Sequence, residues 1–445
     1  MIKKHLIRAA YGMEALLSRH PRLAQRVGQM VPMSLLLGKR YRYYQQQFDQ
    51  KDPVPELLKL VRFAWEQVPY YKEKYNAIPQ TLEDFERMAG FTDKTILQRH
   101  RQAFLSPIFH PASYELVSTS GSTGDPSLFY LPKDRFYKEW AYIHKIWASK
   151  GYRHHWRAVL RNHKLDDHHD FRLHIFRREM VFDAYRNRPD YYRRIYHHMK
   201  HSGIRYFQSY PHLAHSFFQW ANNEGMDVSF LKGVFLSSER FTDIQRRLLV
   251  EQMGLPVVSI YGLSEKLALA VDWNGSGQYE IIESYGYVEL VDEEGQVIKE
   301  TGRTGEIVAT TLDNYGMPLI RFRTGDISEY AVYEPGKRRI LNGILGRTGQ
   351  YIYNADGSGV SVTSLNMHGD LLDYVQGLQF YQETPGRVEI RLIPKPHYNN
   401  QVRQRILNYY QSRFMPDMQI LLKETDRLET LKNGKLPALI SLVKK

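Results

Sequence analysis

Ser120, Gly121, Ser122, Thr123 and Gly124 follow one another in the stretch VSTSGSTGDPSLFYLPKD, between an apolar approach and an exit marked by Pro126. Ser and Thr hydroxyls donate hydrogen bonds, and glycines let backbone N–H groups turn inward toward an anion. After a strand-like YELVSTS, such a loop can cradle a phosphate. It is not the Walker pattern, because G-x-x-x-x-G-K-[ST] is absent. The same composition also makes an ordinary flexible loop, so its companions must decide. They come in order. SIYGLSEK closes a short strand and sets Glu265 just past the Tyr261–Gly262 turn. RFRTGD ends another strand on Asp326, LGRTGQYI carries Arg347, and LKNGKLPA near the C-terminus carries Lys435. Each is weak alone, since a Gly-Asp at a strand end is commonplace and Asn-Gly-Lys is usually a surface turn. Their joint order and spacing is the signal.

The elements that must position these residues are legible in outline. Residues 1 to about 115 read as helical. PELLKLVRFAWEQVPYYKEKY places Leu57, Leu60, Val61, Ala64, Trp65 and Val68 at helical spacing, and Pro69 stops the pattern. From about 116 strand-like and helical runs alternate. An aromatic-rich helix spans Phe136 to Trp147, LKGVFLSS precedes RFTDIQRRLLVEQMG, and PVVSIYG follows. Alternation of this kind predicts parallel strands with crossover helices, an α/β fold. From about 277 to 345 the texture turns to strand and turn. Beyond Gly346, GRVEIRLIP, a helix around Val402 to Tyr410 and LPALISLV predict a small α+β domain. The expected organisation is a basic helical segment over 1–50, a large domain over 51–345 and a small mobile one over 346–445.

The 445 residues are 42% hydrophobic and carry a net charge of +13. That is ample apolar material for a core, and the charge favours anionic partners without choosing among nucleotides, acidic lipids and nucleic acid. There is no cysteine, which removes disulfides, thiolate metal sites and a Cys nucleophile and accords with a cytoplasmic location. The N-terminus begins basic, but Arg8, Glu14 and Arg19 interrupt any secretory core. Leu6, Met13, Leu16 and Leu17 share a helical stripe, expected either to dock on the protein itself or to rest as a basic amphipathic helix on an anionic membrane. The segment from 152 to 170 holds His154, His155, His163, His168, His169, Asp166 and Asp170. It reads as a metal site, as a loop near a substrate pocket, or as a solvated basic surface. Adjacent histidines in a polar loop seldom converge on one ion.

The ordered series of motifs resembles the adenylate-forming superfamily of acyl-CoA ligases, peptide-synthetase adenylation domains and luciferases. It is most similar to the phenylacetate-CoA ligase branch, including its capsule-biosynthesis (CapK-type) members. That nearer likeness rests on LLKLVRFAWEQVPYYKEKY, FTDKTIL and the SYPHLAHSF segment at 209 to 217. The resemblance implies a large AMP-binding domain, a small rotating lid, and ATP, Mg²⁺ and CoA as the small molecules used. It implies that Ser120, Gly121, Ser122, Thr123 and Gly124 hold the ATP β- and γ-phosphates, that Glu265 binds Mg²⁺, and that Tyr261, Gly262, Ser238 and Glu239 border the adenine. Asp326 would accept from the ribose hydroxyls, Arg347 would lie near the ribose or phosphate, and Lys435 would meet both the carboxylate substrate and the α-phosphate. Tyr210, Pro211, Phe235 and Leu236 are expected to build the acyl pocket.

The chain departs from the family pattern in three places. Ser127 stands where many members have Lys, Gly349 where a hinge Asp is usual, and NADGSGVSVTSLN where a Gly-rich, Glu-bearing run is usual. The last departure leaves the acceptor open between CoA and an amine or sugar in surface-polysaccharide assembly. The rival reading is a basic protein of nucleic acid or membrane, supported by the charge and by the interleaved KRYRYYQQQF. Against it, Lys435, Glu265 and Asp326 all keep the side chains a working adenylation site requires.

Overall fold

The computed structural model describes residues 21–30, 33–119, 127–161, 163–166, 168–186, 188–239, 241, 243–344, 351–365, 367, 369–429 and 439–443. The chain divides into two compact units. The first comprises residues 1–93, 102–115 and 131–344, and the second residues 94–101, 116–130 and 345–445.

The first unit opens with helices, as the apolar spacing predicts. Pro21–Met30, Met33–Gln47 and Val54–Gln67 are followed by shorter ones. Leu57, Leu60, Val61, Ala64 and Trp65 form the buried stripe of Val54–Gln67. Pro69 ends this helix through its predecessor: Val68 is pushed to φ −93°, ψ 120°, as a pre-proline residue must be. Pro69 itself then opens the next helix, Pro69–Lys74, at a first-turn position where its missing N–H costs nothing. The helix Met33–Gln47 turns part of its aromatic and basic run inward. Tyr41 is 2% exposed, and its hydroxyl meets His144 Nδ1 at 2.9 Å.

A sheet of twelve strands forms the body of this unit. Its centre is parallel, in the spatial order Val257–Gly262, Gly233–Ser237, Tyr206–Ser209, Arg157–Leu160 and Glu179–Phe182. Parallel neighbours require crossovers, and the helices Pro189–His201 and Pro211–Asn223 supply two of them. Sheets covered on both faces are built from near-continuous apolar strands, and VVSI, GVFL and RAVL are buried along their length. Val234, Leu236 and Phe207 face one core with Phe217 and Tyr192. Phe235, Val258 and Ile260 face the other with Trp147 and Tyr142. The Trp147 and Phe235 rings stack at 4.5 Å, and burying a Phe of this kind contributes about 1.5–3 kcal/mol. Beyond Val257–Gly262 the sheet turns antiparallel through Leu269–Asp272, Gln278–Ile281, Arg338–Asn342, Phe322–Glu334, Thr304–Thr311 and Gly286–Val291.

The C-terminal part of the second unit has a four-stranded sheet in the order Gln419–Glu424, Arg387–Pro394, Val375–Gln382, Leu439–Ser441. The helix Asn400–Gln411 packs its buried Val402, Ile406 and Tyr410 into a core with Val388, Ile390 and Phe380. Asn399 caps that helix by accepting from the Val402 N–H. No described helix is long and apolar enough to cross a membrane.

Candidate active site

In open α/β sheets ligands bind beyond the carboxyl ends of the parallel strands. The described candidate residues lie there or on the antiparallel extension beside it. Tyr261 is the penultimate residue of Val257–Gly262, and its hydroxyl donates to Asp326 Oδ2 at 2.8 Å. Asp326 reaches this point because RTGD breaks the regularity of its strand. Gly325 takes φ +79°, its N–H donates to Glu306 Oε1 at 3.0 Å, and the ladder to Thr304–Thr311 shifts register between Glu306 and Val308. Thr324 Oγ1 then accepts the Asp326 N–H at 3.0 Å while donating to the Ile307 carbonyl at 2.7 Å. Burial and the Asp326 carboxylate push the Tyr261 hydroxyl well above the usual phenol range, so it remains a donor. Two segments 65 residues apart, Tyr261–Gly262 and Asp326, are thus joined by one hydrogen bond.

Glu265 follows four residues later and is 6% exposed. Its charge acts on Tyr261, and among the described residues no side chain pairs with its carboxylate. A buried, unpaired carboxylate suits a cation that brings further ligands of its own. Mg²⁺ held by one carboxylate and by substrate phosphates is such a cation, so the residues present fit it.

The turn carrying Glu265 is held by a network that sequence reasoning missed. Lys266 adopts a left-handed backbone, φ 59°, a conformation that costs a non-glycine residue about 1–2 kcal/mol. Its carbonyl accepts from Arg135, and its ammonium donates to Glu139 at 2.9 Å. Glu139 also accepts from the Tyr285 hydroxyl at 2.6 Å. Arg135 and Lys138, both buried on the helix Arg135–Ala148, pair with Asp313. Burial alone would raise the Asp313 carboxyl, but Arg135 and then Lys138 bring it down from 3.8 to about 2. Burial lowers the Lys138 ammonium from 10.5 to about 8, with Asp313 resisting. One backbone contact completes the clamp. A Cβ on Gly286 would sit 1.8 Å from the Leu267 carbonyl oxygen, so only glycine lets this strand approach the residues after Glu265. The signal available in the sequence was Arg135, Lys138 and Glu139 at i, i+3 and i+4 of an otherwise aromatic helix.

Ser238 and Glu239 follow the strand Gly233–Ser237. Ser238 has φ 73°, and its hydroxyl accepts from Arg161 Nη2 at 2.9 Å. Ser237 pairs with Ile260 across the ladder, which sets Ser238 beside the strand end that carries Tyr261. Tyr210, expected in the acyl pocket, lies under the Arg161 guanidinium at 4.9 Å from ring centroid to carbon. Two other expectations for that pocket are corrected. Phe235 is 1% exposed and Leu236 0% exposed, and each belongs to a packed core on opposite faces of the sheet. Alternation along a strand buried on both faces leaves neither side chain for a ligand.

Ser120, Gly121, Ser122, Thr123, Gly124, Arg347 and Lys435 lie outside the described residues, as do Leu6, Met13, Leu16 and Leu17. In the histidine-rich segment, His169 Nδ1 meets Asp166 Oδ1 at 2.6 Å and His198 Nε2 meets Asp170 Oδ2 at 3.3 Å. His154 instead packs edge-on against His144 with ring centroids 4.5 Å apart. Among the described residues no group of three His, Asp or Glu could hold a metal ion.

The arrangement of strands and turns recurs in solved structures. 2-Hydroxyisobutyryl-CoA ligase in the thioesterification state, in complex with 2-HIB-AMP and CoA, matches with a TM-score of 0.56 at 17% identity, over 87% of this chain and 88% of that one. The same enzyme in the postadenylation state, in complex with R3-HIB-AMP, matches with a TM-score of 0.53 at 16% identity over the same shares. The chain has the fold of an adenylate-forming ligase. No family model matches it. In sequence it is similar to phenylacetate-coenzyme A ligase of Pseudomonas putida, 30% identical over 131 residues, which is 28% of this chain and 30% of that enzyme. It is also similar to the enzyme of the same name from Thermus thermophilus, 32% identical over 163 residues, 34% of this chain and 35% of that protein. These matches span about a third of the curated relatives' length.

Proposed function

We propose that the protein is an ATP-dependent ligase that activates a carboxylic acid as its acyl-adenylate and passes the acyl group to CoA. The observation that supports this best is the hydrogen bond joining Tyr261 to Asp326, with buried Glu265 four residues further on, in a fold shared with an enzyme solved as its acyl-AMP and CoA complex. In the first step a substrate carboxylate oxygen bonds to the α-phosphorus of ATP, and the bond from that phosphorus to the bridging oxygen breaks to release pyrophosphate. In the second, the CoA thiolate bonds to the acyl carbon and AMP leaves.

The roles are those that the resemblance to adenylate-forming ligases implies, and each suits its side chain. Asp326 accepts from the two ribose hydroxyls and is oriented by the Tyr261 hydroxyl, which burial keeps protonated. Tyr261, Gly262, Ser238 and Glu239 border the adenine. Ser120 through Gly124 hold the β- and γ-phosphates, Arg347 lies at the ribose or phosphate, and Lys435 donates to the α-phosphoryl oxygens and the substrate carboxylate. A Lys ammonium aimed at charge that develops in the transition state acts like an oxyanion-hole donor, whose removal costs on the order of 10²–10³-fold in rate. Mg²⁺ at Glu265 would neutralise charge on the phosphate oxygens.

The test is ATP–pyrophosphate exchange with pooled carboxylic acids, comparing the parent with Lys435→Ala and Glu265→Ala. Exchange that depends on one acid and collapses in both variants is the expected result. Adding CoA, amines and sugars to that acid then identifies the acceptor, and transfer to an amine or sugar alone would replace CoA with the surface-polysaccharide reading. Absence of ATP binding by calorimetry would end the ligase reading.

A further inference from the structure

Arg161 differs from three buried arginines of the first unit. Arg157 is paired with Glu179, Arg321 with Glu289, and Arg339 with Glu283. Each of those guanidiniums has its own carboxylate and belongs to the scaffold. Arg161 has none among the described residues. Its contacts are neutral: the Ser238 hydroxyl at 2.9 Å, and Tyr210, which lies 4.9 Å below the guanidinium and bonds to it. The Glu239 carboxylate and the Arg161 guanidinium both act on the Tyr210 hydroxyl. A guanidinium carries five N–H donors in a fixed fork. Tyr210 lies against that fork, and among the described residues no carboxylate is paired with it.

Its position follows from the ladder. Leu160 is level with Ser209, Ser209 with Leu236, and Leu236 with Ser259. Arg161 therefore emerges at the carboxyl end of its strand, three strands from Val257–Gly262. At ~4.8 Å per strand that is about 14 Å from the strand of Tyr261. The side chain runs back across the end of Tyr206–Ser209 to Ser238, and its guanidinium ends about one strand spacing from that same strand. A cation placed so faces the space beyond the parallel strand ends, on the side of Tyr261 away from Asp326. Ribose and adenine are assigned to Tyr261, Asp326, Ser238 and Glu239, and Arg161 reaches Ser238 from the side of Tyr210, which is assigned to the acyl pocket.

We propose that Arg161 reads an oxyanion carried by the acyl substrate at the end opposite its activated carboxylate. The substrate is then a dianion, either a dicarboxylic acid or a carboxylic acid bearing a phosphate. The assignment of one carboxylate as the activated one rests on the adenylation reading. The fork pairs with carboxylate or phosphate through two parallel N–H···O bonds, and the chain's +13 charge raises the local concentration of such an acid.

The test is equilibrium binding by calorimetry to the full chain, followed by ATP–pyrophosphate exchange. The probes are matched pairs: glutarate with butyrate, adipate with hexanoate, 4-carboxyphenylacetate with phenylacetate, and 3-phosphopropionate with propionate. At least one dianion is expected to bind more tightly than its monoanionic partner. Arg161→Gln is expected to lower that affinity about 10–100-fold, the range for charge-assisted bonds, while leaving the monoanion and ATP within about twofold. Arg161→Glu is expected to reverse the preference toward 5-aminopentanoate or 4-(aminomethyl)phenylacetate, a gain that misfolding cannot produce. Equal binding within every pair, or dianion binding unchanged in Arg161→Gln, overturns the proposal. So does a parallel fall in ATP affinity, which would make the ATP phosphates the oxyanion that Arg161 meets. Dianion preference lost in Arg161→Gln without any exchange would uphold this site while removing the ligase reading.

Discussion

Glu139→Gln is the most informative single change in the network behind Glu265. Glu139 accepts from the Lys266 ammonium at 2.9 Å and from the Tyr285 hydroxyl at 2.6 Å. Gln keeps the shape and one acceptor oxygen, so one of the two bonds is lost and the Lys266 charge loses its counterion. A hydrogen bond to a charged group contributes about 1.5–3 kcal/mol. The side chains of Lys266 and Glu139 are 30% and 27% exposed, so water screens part of this and a loss of about 1–2 kcal/mol is expected. The loss falls on a turn already strained by the left-handed Lys266, and it frees the backbone that carries Glu265. Loosening by about 1.4 kcal/mol shifts the equilibrium away from the competent turn tenfold, and so lowers its population by up to tenfold. The kcat of ATP–pyrophosphate exchange should therefore fall by up to about tenfold at saturating ATP and Mg²⁺, with the KM for the acid unchanged. Lys266→Met should behave the same, the double variant should be no worse than either alone, and Lys266→Arg, which keeps a charge for Glu139, should retain most of the rate. A variant that loses stability in urea but keeps its kcat would refute the positioning role and leave the network as scaffold.

Three further outcomes follow from the same geometry. Tyr261→Phe removes the donor to Asp326 without changing the ring, and ATP binding measured by calorimetry should weaken about tenfold or more, the value of a hydrogen bond to a carboxylate; unchanged affinity would detach Asp326 from the nucleotide. Gly286→Ala should lower stability in urea by about 1–3 kcal/mol, the usual cost of overpacking, and abolish exchange together with it, because the added methyl meets the Leu267 backbone rather than a side chain that can swing away. His154 is lowered from 6.5 to about 4 by burial first and then by Arg178 and Arg157, and burial holds the neighbouring His144 well below its ordinary value. Both are neutral when folded, so the unfolded chain binds more protons between pH 6.5 and 4. Stability should fall with pH across that window by up to about 1.4 kcal/mol per unit for the buried His144 and by less for the partly exposed His154. Urea titrations from about pH 7 to about 4.5 should show a shallower fall in His154→Gln than in the parent, and parallel curves would contradict the assignment.

Much of the fold was legible because local rules and tertiary demands agree. Period-3.6 spacing in PELLKLVRFAWEQ, the pre-proline Val68 and the apolar runs GVFL and VVSI each have one low-energy outcome, and the structure adopts it. Glu265 and Tyr261 were likewise marked in the sequence by the turn at YGLSE, whereas Asp326, expected at the end of a strand, lies near the start of Phe322–Glu334. Which side chains face a ligand was not. The resemblance implied that Phe235 and Leu236 line the acyl pocket, yet the sheet is covered on both faces and buries them in two separate cores. Nothing in the local sequence around Asp313 points to a partner, and only folding brings it to Arg135 and Lys138, 178 and 175 residues away.

The sequence by itself determined the kinds of elements, their order, and the turn at YGLSE, because backbone preference and apolar periodicity act over a few residues. Only the tertiary structure decided the Tyr261–Asp326 bond, the clamp on Lys266 and the reach of Arg161 to Ser238. Strand order in the sheet fixes those contacts, and strand order is set by packing between segments that carry no record of one another in their local sequence.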